Sequence, residues 1–512
     1  MFIVDQLCYD KDEMEIIHFQ LSNMFSDEQR VIYNQIVDSV ESGAGGFFFL
    51  YGSGGTGKTF IWKTLSAGLR AKGYIVINAA SSGIASLLLP GGRTTHSSLN
   101  IPFLINEASS CIFNKESDKA AMFRKAKLII WDEAPMMHRQ YFKVFDRTMR
   151  DIMSYDGVDN TDKLFGGVSV VLGGDFRQIL PVIRKGNRED ILASSINSSK
   201  LWSHCKVLTL TTNMHLRSST VRAEQDKIRK FAEWILSIGD GIGSANESGE
   251  INLPILDELL IKDSSDPLRS LVDFVYLDFL QNMKISNFFQ ERGILAPTLD
   301  AVDHVNEFLL SLVSGDEKEY ISSDSVCKSD ENSELESEWF TTEFLNDIKC
   351  SGIPNHKLRF KVGCPVMLMR NIDQAARLCN GTRLIVDNLG KNFIGAIVIT
   401  GKNVGEKVTI PRMSLAPSDP GLPFKFTRRQ FPLTLCFAMT INKSQGQSLS
   451  HVGIYLSKPI FTHGQLYVAV LRVTSKKGLK MFILDEENRV CTETTNVVYR
   501  DVFSERLTGR FC

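Results

Sequence analysis

The segment Gly52-Ser53-Gly54-Gly55-Thr56-Gly57-Lys58-Thr59 constrains this chain more than any other, because it stands between an apolar run, Phe47 to Tyr51, and helix-forming sequence ended by Gly73. A GxxxxGK[ST] loop in the order strand, loop, helix requires a parallel α/β sheet, with backbone N–H groups curled around phosphate oxygens at a helix N-terminus. Gly52, Gly54, Gly55 and Gly57, with Thr56 among them, supply the backbone freedom. Lys58 neutralises the outer phosphates, and the Thr59 hydroxyl is offered to Mg²⁺. A nucleoside triphosphate with Mg²⁺ is the expected ligand.

The same grammar recurs. Residues 74 to 78, 127 to 131 and 169 to 172 read as further buried strands, each followed by polar residues at the edge where open parallel sheets hold ligands. After the second of these come Asp132 and Glu133. Asp132 would hold Mg²⁺ and Glu133 would orient the attacking water. An acidic pair after a strand also serves as a helix cap, and it is the partnership with the phosphate loop that favours the catalytic reading. After the third comes GGDFRQ, where Gln178 could sense the γ-phosphate.

At 512 residues the chain should hold two to four domains. A strand is expected at 206 to 210 and an amphipathic helix at 221 to 238, and a Ser/Asp/Glu-rich stretch, 314 to 338, reads as a solvated loop. Short β-like runs from Leu358 to Met413 suggest a small antiparallel barrel. Parallel signals return at 433 to 440 and 452 to 456, so the barrel reads as an insertion into a second α/β domain. The expected division is 1 to 195, then 196 to 310 with 420 to 490, an insertion at 311 to 419, and a tail at 491 to 512.

A net charge of −1 excludes a wholesale polyanion-binding coat, though not positive charge confined to a channel. Ten cysteines without a CxxC pair read as reduced thiols rather than a zinc site. Apolar runs are too short to span a bilayer, and the acidic N-terminus lacks signal-peptide character, so no membrane partner and a nuclear or cytosolic location are expected.

The ordered set SDEQR (26 to 30), GSGGTGKT, SSGIAS (81 to 86), TTHS (94 to 97), WDEAPM, GGDFRQILPV, LAPT (295 to 298), FAMTINKSQGQSL and HGQLYVAVLRVTS resembles the Pif-type DNA helicases of superfamily one, from about Phe25 to Asp485. WDEAPMMHRQ, MLMRNID and LCNGTRL are similar to the branch carried by plant Helitron transposons. The resemblance implies two RecA-like domains, mainly of parallel sheet, with a small inserted antiparallel β-barrel, ATP in the cleft, and single-stranded DNA crossing both domains. Movement would be 5′ to 3′, on single strands and tailed duplexes, by a monomer in the nucleus, in repair, recombination, telomere maintenance or transposon replication. It further implies that Gln29 reads adenine, that Gln445 and Arg472 reach ATP from the second domain, with Arg472 as an arginine finger, and that Ser81, Thr95, His96, Thr298, Lys443 and Ser444 contact DNA. Phe176 and His96 are candidates for base stacking, and the basic clusters 357 to 361, 425 to 429 and 476 to 480 for lining the path.

Two positions depart from the family pattern. His215 stands where arginine is usual, with Arg217 two residues on, and Leu471 stands where serine precedes the arginine finger. A neutral imidazole does not replace a permanently charged guanidinium. The leading expectation is an ATP-driven helicase. The alternative is a transposon-derived nucleotide- and DNA-binding protein with impaired hydrolysis.

Overall fold

The computed structural model describes residues 8–214, 222–262, 265–283, 285, 287–326, 341–350, 352–373, 376, 378–401, 403–417 and 424–503. Its first body is a six-stranded parallel sheet of β1 (Phe47–Gly52), β2 (Ile75–Ala80), β3 (Arg93–Thr94), β4 (Ala126–Asp132), β5 (Ser169–Gly174) and β6 (Lys206–Leu210), in the order β3-β2-β4-β5-β1-β6. The inner strands β1, β2, β4 and β5 are largely apolar because both faces are covered, while the edge strands β3 and β6 carry Arg93, Thr94, Lys206 and Thr209. Phe47 and Phe49 enter one core, while Phe48 and Leu50 enter the core on the opposite face. β6 pairs with β1, so the first sheet reaches past residue 195, where the sequence reading had ended the domain.

The second body holds a four-stranded parallel sheet of β8 (Arg292–Ala296), β19 (Ala438–Thr440), β20 (His451–Leu456) and β21 (Leu479–Ile483), in the order β19-β8-β20-β21. Between β8 and β19 lies antiparallel structure. Its main sheet joins β12 (Pro365–Leu368), β13 (Arg383–Leu389), β14 (Phe393–Val398), β15 (Lys407–Pro411) and β18 (Leu433–Leu435) in the order β15-β14-β13-β12-β18. Two satellites flank it, one of β9 (Lys318–Ile321) with β11 (Lys357–Phe360), the other of β10 (Ser323–Val326), β16 (Met413–Leu415) and β17 (Phe426–Gln430).

The structure departs from the sequence expectation in three further places. Residues 433 to 435 pair antiparallel with β12, so the parallel signal begins only at Ala438. Part of the acidic stretch is strand, because β9 and β10 find partners far along the chain; its residues 327 to 338 lie outside the described residues. The supposed tail contributes β22 (Glu493–Val497), antiparallel to β7 (Glu250–Pro254), and then sends Val497, Tyr499 and Val502 into the core of the first body.

β10 and β17 are joined by an ion pair whose two side chains are both 0% exposed, Arg428 with Asp324. Arg428 Nε donates to Asp324 Oδ2 at 2.9 Å and Nη2 to the same oxygen at 2.6 Å. Its remaining N–H groups reach the carbonyls of Leu345, Ile348 and Pro354. Arg428 is therefore structural and is removed from the basic cluster at 425 to 429.

Candidate nucleotide cleft and DNA-facing edge

β1 ends at the phosphate loop, and the helix Lys58–Ala71 begins directly after it. Gly57 caps that helix at φ +90°, a left-handed conformation, with the Gln29 amide pressed against the place a Cβ would occupy. Lys58 Nζ donates to the carbonyls of Gly52 and, at 3.3 Å, Ser53, which holds the ammonium over its own loop.

β4 delivers Asp132 and Glu133 beside this loop. Asp132 Oδ1 is buried without a hydrogen-bond partner, the position of a carboxylate that awaits a cation. Glu133 adopts φ +53°, rare for a non-glycine residue, and accepts a hydrogen bond from Gln445 Nε2 of the second body at 2.9 Å. Burial first, then the Asp132 charge, raises the Glu133 pKa, and Lys58 opposes both. Burial likewise raises Asp132. An Mg²⁺ complex of a nucleotide fits this pair, because the metal would take a carboxylate and the Thr59 hydroxyl and leave its other positions to phosphate and water.

A cavity of about 690 Å³ between the two bodies is lined by Gly54, Gly55, Gly57, Lys58 and Thr59, by Asp132, Glu133 and Gln178, and from the second body by Gly446, Leu471 and Arg472. Gln178 turns an unpartnered, buried amide oxygen among them. Arg472 is buried and held by the carbonyls of Val468, Ser444 and Gln447. Burial lowers its pKa to about 10, with Glu133 acting in the opposite direction. It stays charged at neutral pH. Leu471 lies on Gly54, where a Cβ would come within 2.6 Å of the leucine. His215 and Arg217 lie outside the described residues.

Gln29 does not line the cavity. It closes a capping box with Ser26 and donates to the Thr56 carbonyl at 3.2 Å, bracing the loop from behind. Gln445 acts through Glu133, and Gly52 and Thr56 lie behind the cavity wall.

The GGDFRQ segment carries more than its glutamine. Asp175, 0% exposed, accepts from Tyr467 Oη at 2.8 Å, and Arg177 Nε donates to Asp240 at 2.6 Å. His463 lies across the same junction, Nε2 at 2.8 Å from the Phe176 carbonyl and Nδ1 accepting from Tyr499 N at 2.8 Å. Sequence reasoning quoted these motifs but passed over Asp175, Arg177, His463 and Tyr467. A buried-type Asp and Tyr in two motifs far apart were the available signal.

Burial lowers the His463 pKa from 6.5 to about 4. The unfolded chain therefore binds a proton that the folded chain refuses between those values, and stability falls as pH drops from 6.5 towards 4, by roughly 3 kcal/mol from this group. Urea unfolding of His463→Gln should be flatter than wild type across that window; parallel pH profiles would remove His463 as the cause.

On the C-terminal edge of the first sheet, Ser81 accepts from Trp131 Nε1 at 3.0 Å and its N–H reaches the Asp132 carbonyl, tying this edge to the cleft. His96 stacks on the exposed ring of Phe103, centroids 4.4 Å apart, and Phe103 is an aromatic the sequence did not single out. On the second body, Thr298 caps the helix Leu299–Leu312, and Lys443 and Ser444 follow β19. The two edges meet where Gly446 packs on Ala85 and Gly83 on the Asn380 carbonyl. Thr95 and Ser444, 1% and 0% exposed, turn no hydroxyl outward in this conformation. Phe176 is fully buried against Phe49, so it is a core residue and not a stacking platform.

The family described as PIF1-like helicase matches residues 24–249, and the DNA helicase Pif1 2B domain matches 343–389. The chain belongs to the PIF1-like helicase family. Among its PIF1-like relatives, ATP-dependent DNA helicase PIF1 of Danio rerio is 26% identical over 96% of this chain and 66% of its own length. That of Xenopus laevis is 27% identical over 90% and 61%, and ATP-dependent DNA helicase Pif1 of Bdellovibrio bacteriovorus 26% over 85% and 83%. The chain thus spans just under two thirds of the two vertebrate proteins. In fold it is similar to Candida albicans Pif1 (TM-score 0.61, 22% identity, 94% of this chain and 98% of that one) and to Bacteroides Pif1 bound to ssDNA (0.61, 23%, 91% and 94%). These likenesses agree with two RecA-like bodies in a PIF1-like chain.

Proposed function

We propose that this chain is an ATP-dependent DNA helicase that moves 5′ to 3′ along single-stranded DNA and unwinds tailed duplexes. The observation that carries the reading is the convergence of Lys58, Asp132, Glu133 and Gln178 from one parallel sheet with Arg472 from the other on a single cavity. Such a cleft can couple the loss of a γ-phosphate to relative motion of its walls. In this reading Lys58 and Thr59 hold the phosphates and Mg²⁺, Asp132 holds the metal, Glu133 orients water and Arg472 stabilises the charge of the transition state. Gln29 supports adenine binding by fixing the loop. Ser81, His96, Thr298 and Lys443 are proposed to touch the strand, with Thr95 and Ser444 reaching it only after a local shift.

The names of the relatives, ATP-dependent DNA helicases, support ATP and DNA as the ligands, and the solved Bacteroides Pif1 was bound to ssDNA. The presence of Arg472 in the cleft favours turnover over a chain that binds nucleotide without hydrolysing it. The remaining parts of the proposal are two RecA-like domains with an inserted antiparallel body, action as a monomer in the nucleus, and membership of the plant Helitron-like branch, supported by WDEAPMMHRQ and LCNGTRL.

ATP hydrolysis should be slow alone and rise strongly on adding oligothymidylate, and a duplex with a 5′ tail should be unwound in preference to one with a 3′ tail. Equal hydrolysis with and without DNA would reject a translocating motor. Preference for the 3′ tail would reject the polarity.

A further inference from the structure

The lysines of 476 to 480 do not belong to the cleft, and the fold brings them a second set from elsewhere in the chain. A groove of about 630 Å³ is lined by Lys227, Lys230, Phe231 and Trp234 of the helix Arg222–Asp240 and by Lys476, Lys477 and Lys480. Positions 227, 230, 231 and 234 follow the i, i+3, i+4, i+7 spacing of one helix face, so the two lysines and two aromatics form a single stripe. Phe231 and Trp234 stack with centroids 5.7 Å apart at 20°, leaving a half-buried indole on the groove.

Charge in the groove is unbalanced. Among the described residues Glu258 is the one acidic residue of its lining, and it takes Lys476 on its carboxylate and Lys480 on its carbonyl. Lys227, Lys230 and Lys477 make no ion pair among the described residues. Three free ammonium groups around an aromatic platform match a ligand that alternates phosphates with flat bases.

We infer that this groove is a second seat for single-stranded DNA, apart from the edge formed by Ser81, His96, Thr298 and Lys443. It adjoins the nucleotide cavity, with which it shares Ile228 and Phe231, so a strand seated here presses on the same helix that walls the cleft. The inference rests on the reading that the chain handles DNA, and its test is separable from that reading.

The test uses the full chain carrying Trp339→Phe, so that Trp234 is the half-buried indole while Trp62, Trp131 and Trp202 are enclosed or nearly so. Oligothymidylate should quench Trp234 emission. The triple variant K227E/K230E/K477E, altered only at exposed positions, should keep the thermal midpoint of wild type. It should bind a long oligothymidylate about tenfold more weakly and lower the slope of log affinity against log salt by about 2, three contacts at roughly 0.7 each. Absence of quenching, or an unchanged slope, overturns the seat. Quenching by polyglutamate but not by oligothymidylate also overturns it, in favour of an acidic polypeptide. DNA-stimulated ATP hydrolysis reports on the helicase reading separately. Quenching and a lowered slope without stimulation would leave the groove standing and reject the motor.

Discussion

A Lys58→Ala chain should remain folded and hydrolyse ATP about a hundredfold to a thousandfold more slowly than wild type, with oligothymidylate saturating. The lysine is held over the loop by the carbonyls of Gly52 and Ser53, so it is already aimed at the place proposed for the phosphates. It is also the cation that opposes the raised pKa of both Asp132 and Glu133. On the proposed roles, its removal would withdraw charge from the phosphates and leave two adjacent buried carboxylates to share protons, disabling together the groups proposed to hold the metal and to orient water. The measurement is the steady-state rate at saturating ATP. A rate within a fewfold of wild type would show that this loop is not the seat of hydrolysis.

Arg428→Met should cost about 3–5 kcal/mol of stability in chemical unfolding, because it strands the Asp324 carboxylate without its partner in a site closed to water. Adding Asp324→Leu should recover much of the loss, since two apolar side chains remove the uncompensated charge. If the single variant loses no more than about 1 kcal/mol, as an exposed pair would, the pair is not the closure of this sheet.

The phosphate loop, the Asp132-Glu133 pair and the strands that carry them were legible because their chemistry is local. A strand that must be buried on both faces is continuously apolar, and a loop that must wrap phosphates is rich in glycine. What was hidden depends on partners distant in the chain. β6 has the same composition whether it opens a new domain or closes the old sheet, and only its pairing with β1 decides. β9 and β10 are polar enough to read as loop, and their strand character comes from β11 and β17. Asp175 and Tyr467 sat in plain view within two motifs, yet their hydrogen bond spans 292 positions of sequence. Arg428 shows the converse error, since a run of basic residues suggested solvent-facing charge where one member is wholly enclosed.

The strand β22 and the residues after it bring the chain back to the body from which it started. The polypeptide thus passes between the halves twice, once beyond β6 and once through Val497, Tyr499 and Val502. A single covalent link would let the halves swing as beads on a string. With a second link fastened at His463 and Tyr499, free rotation is lost and the remaining motion is that of a door hung on two pins. In the proposed motor, opening and closing of the cleft would then repeat along one arc, which is what a machine needs if each fuel molecule is to yield the same displacement.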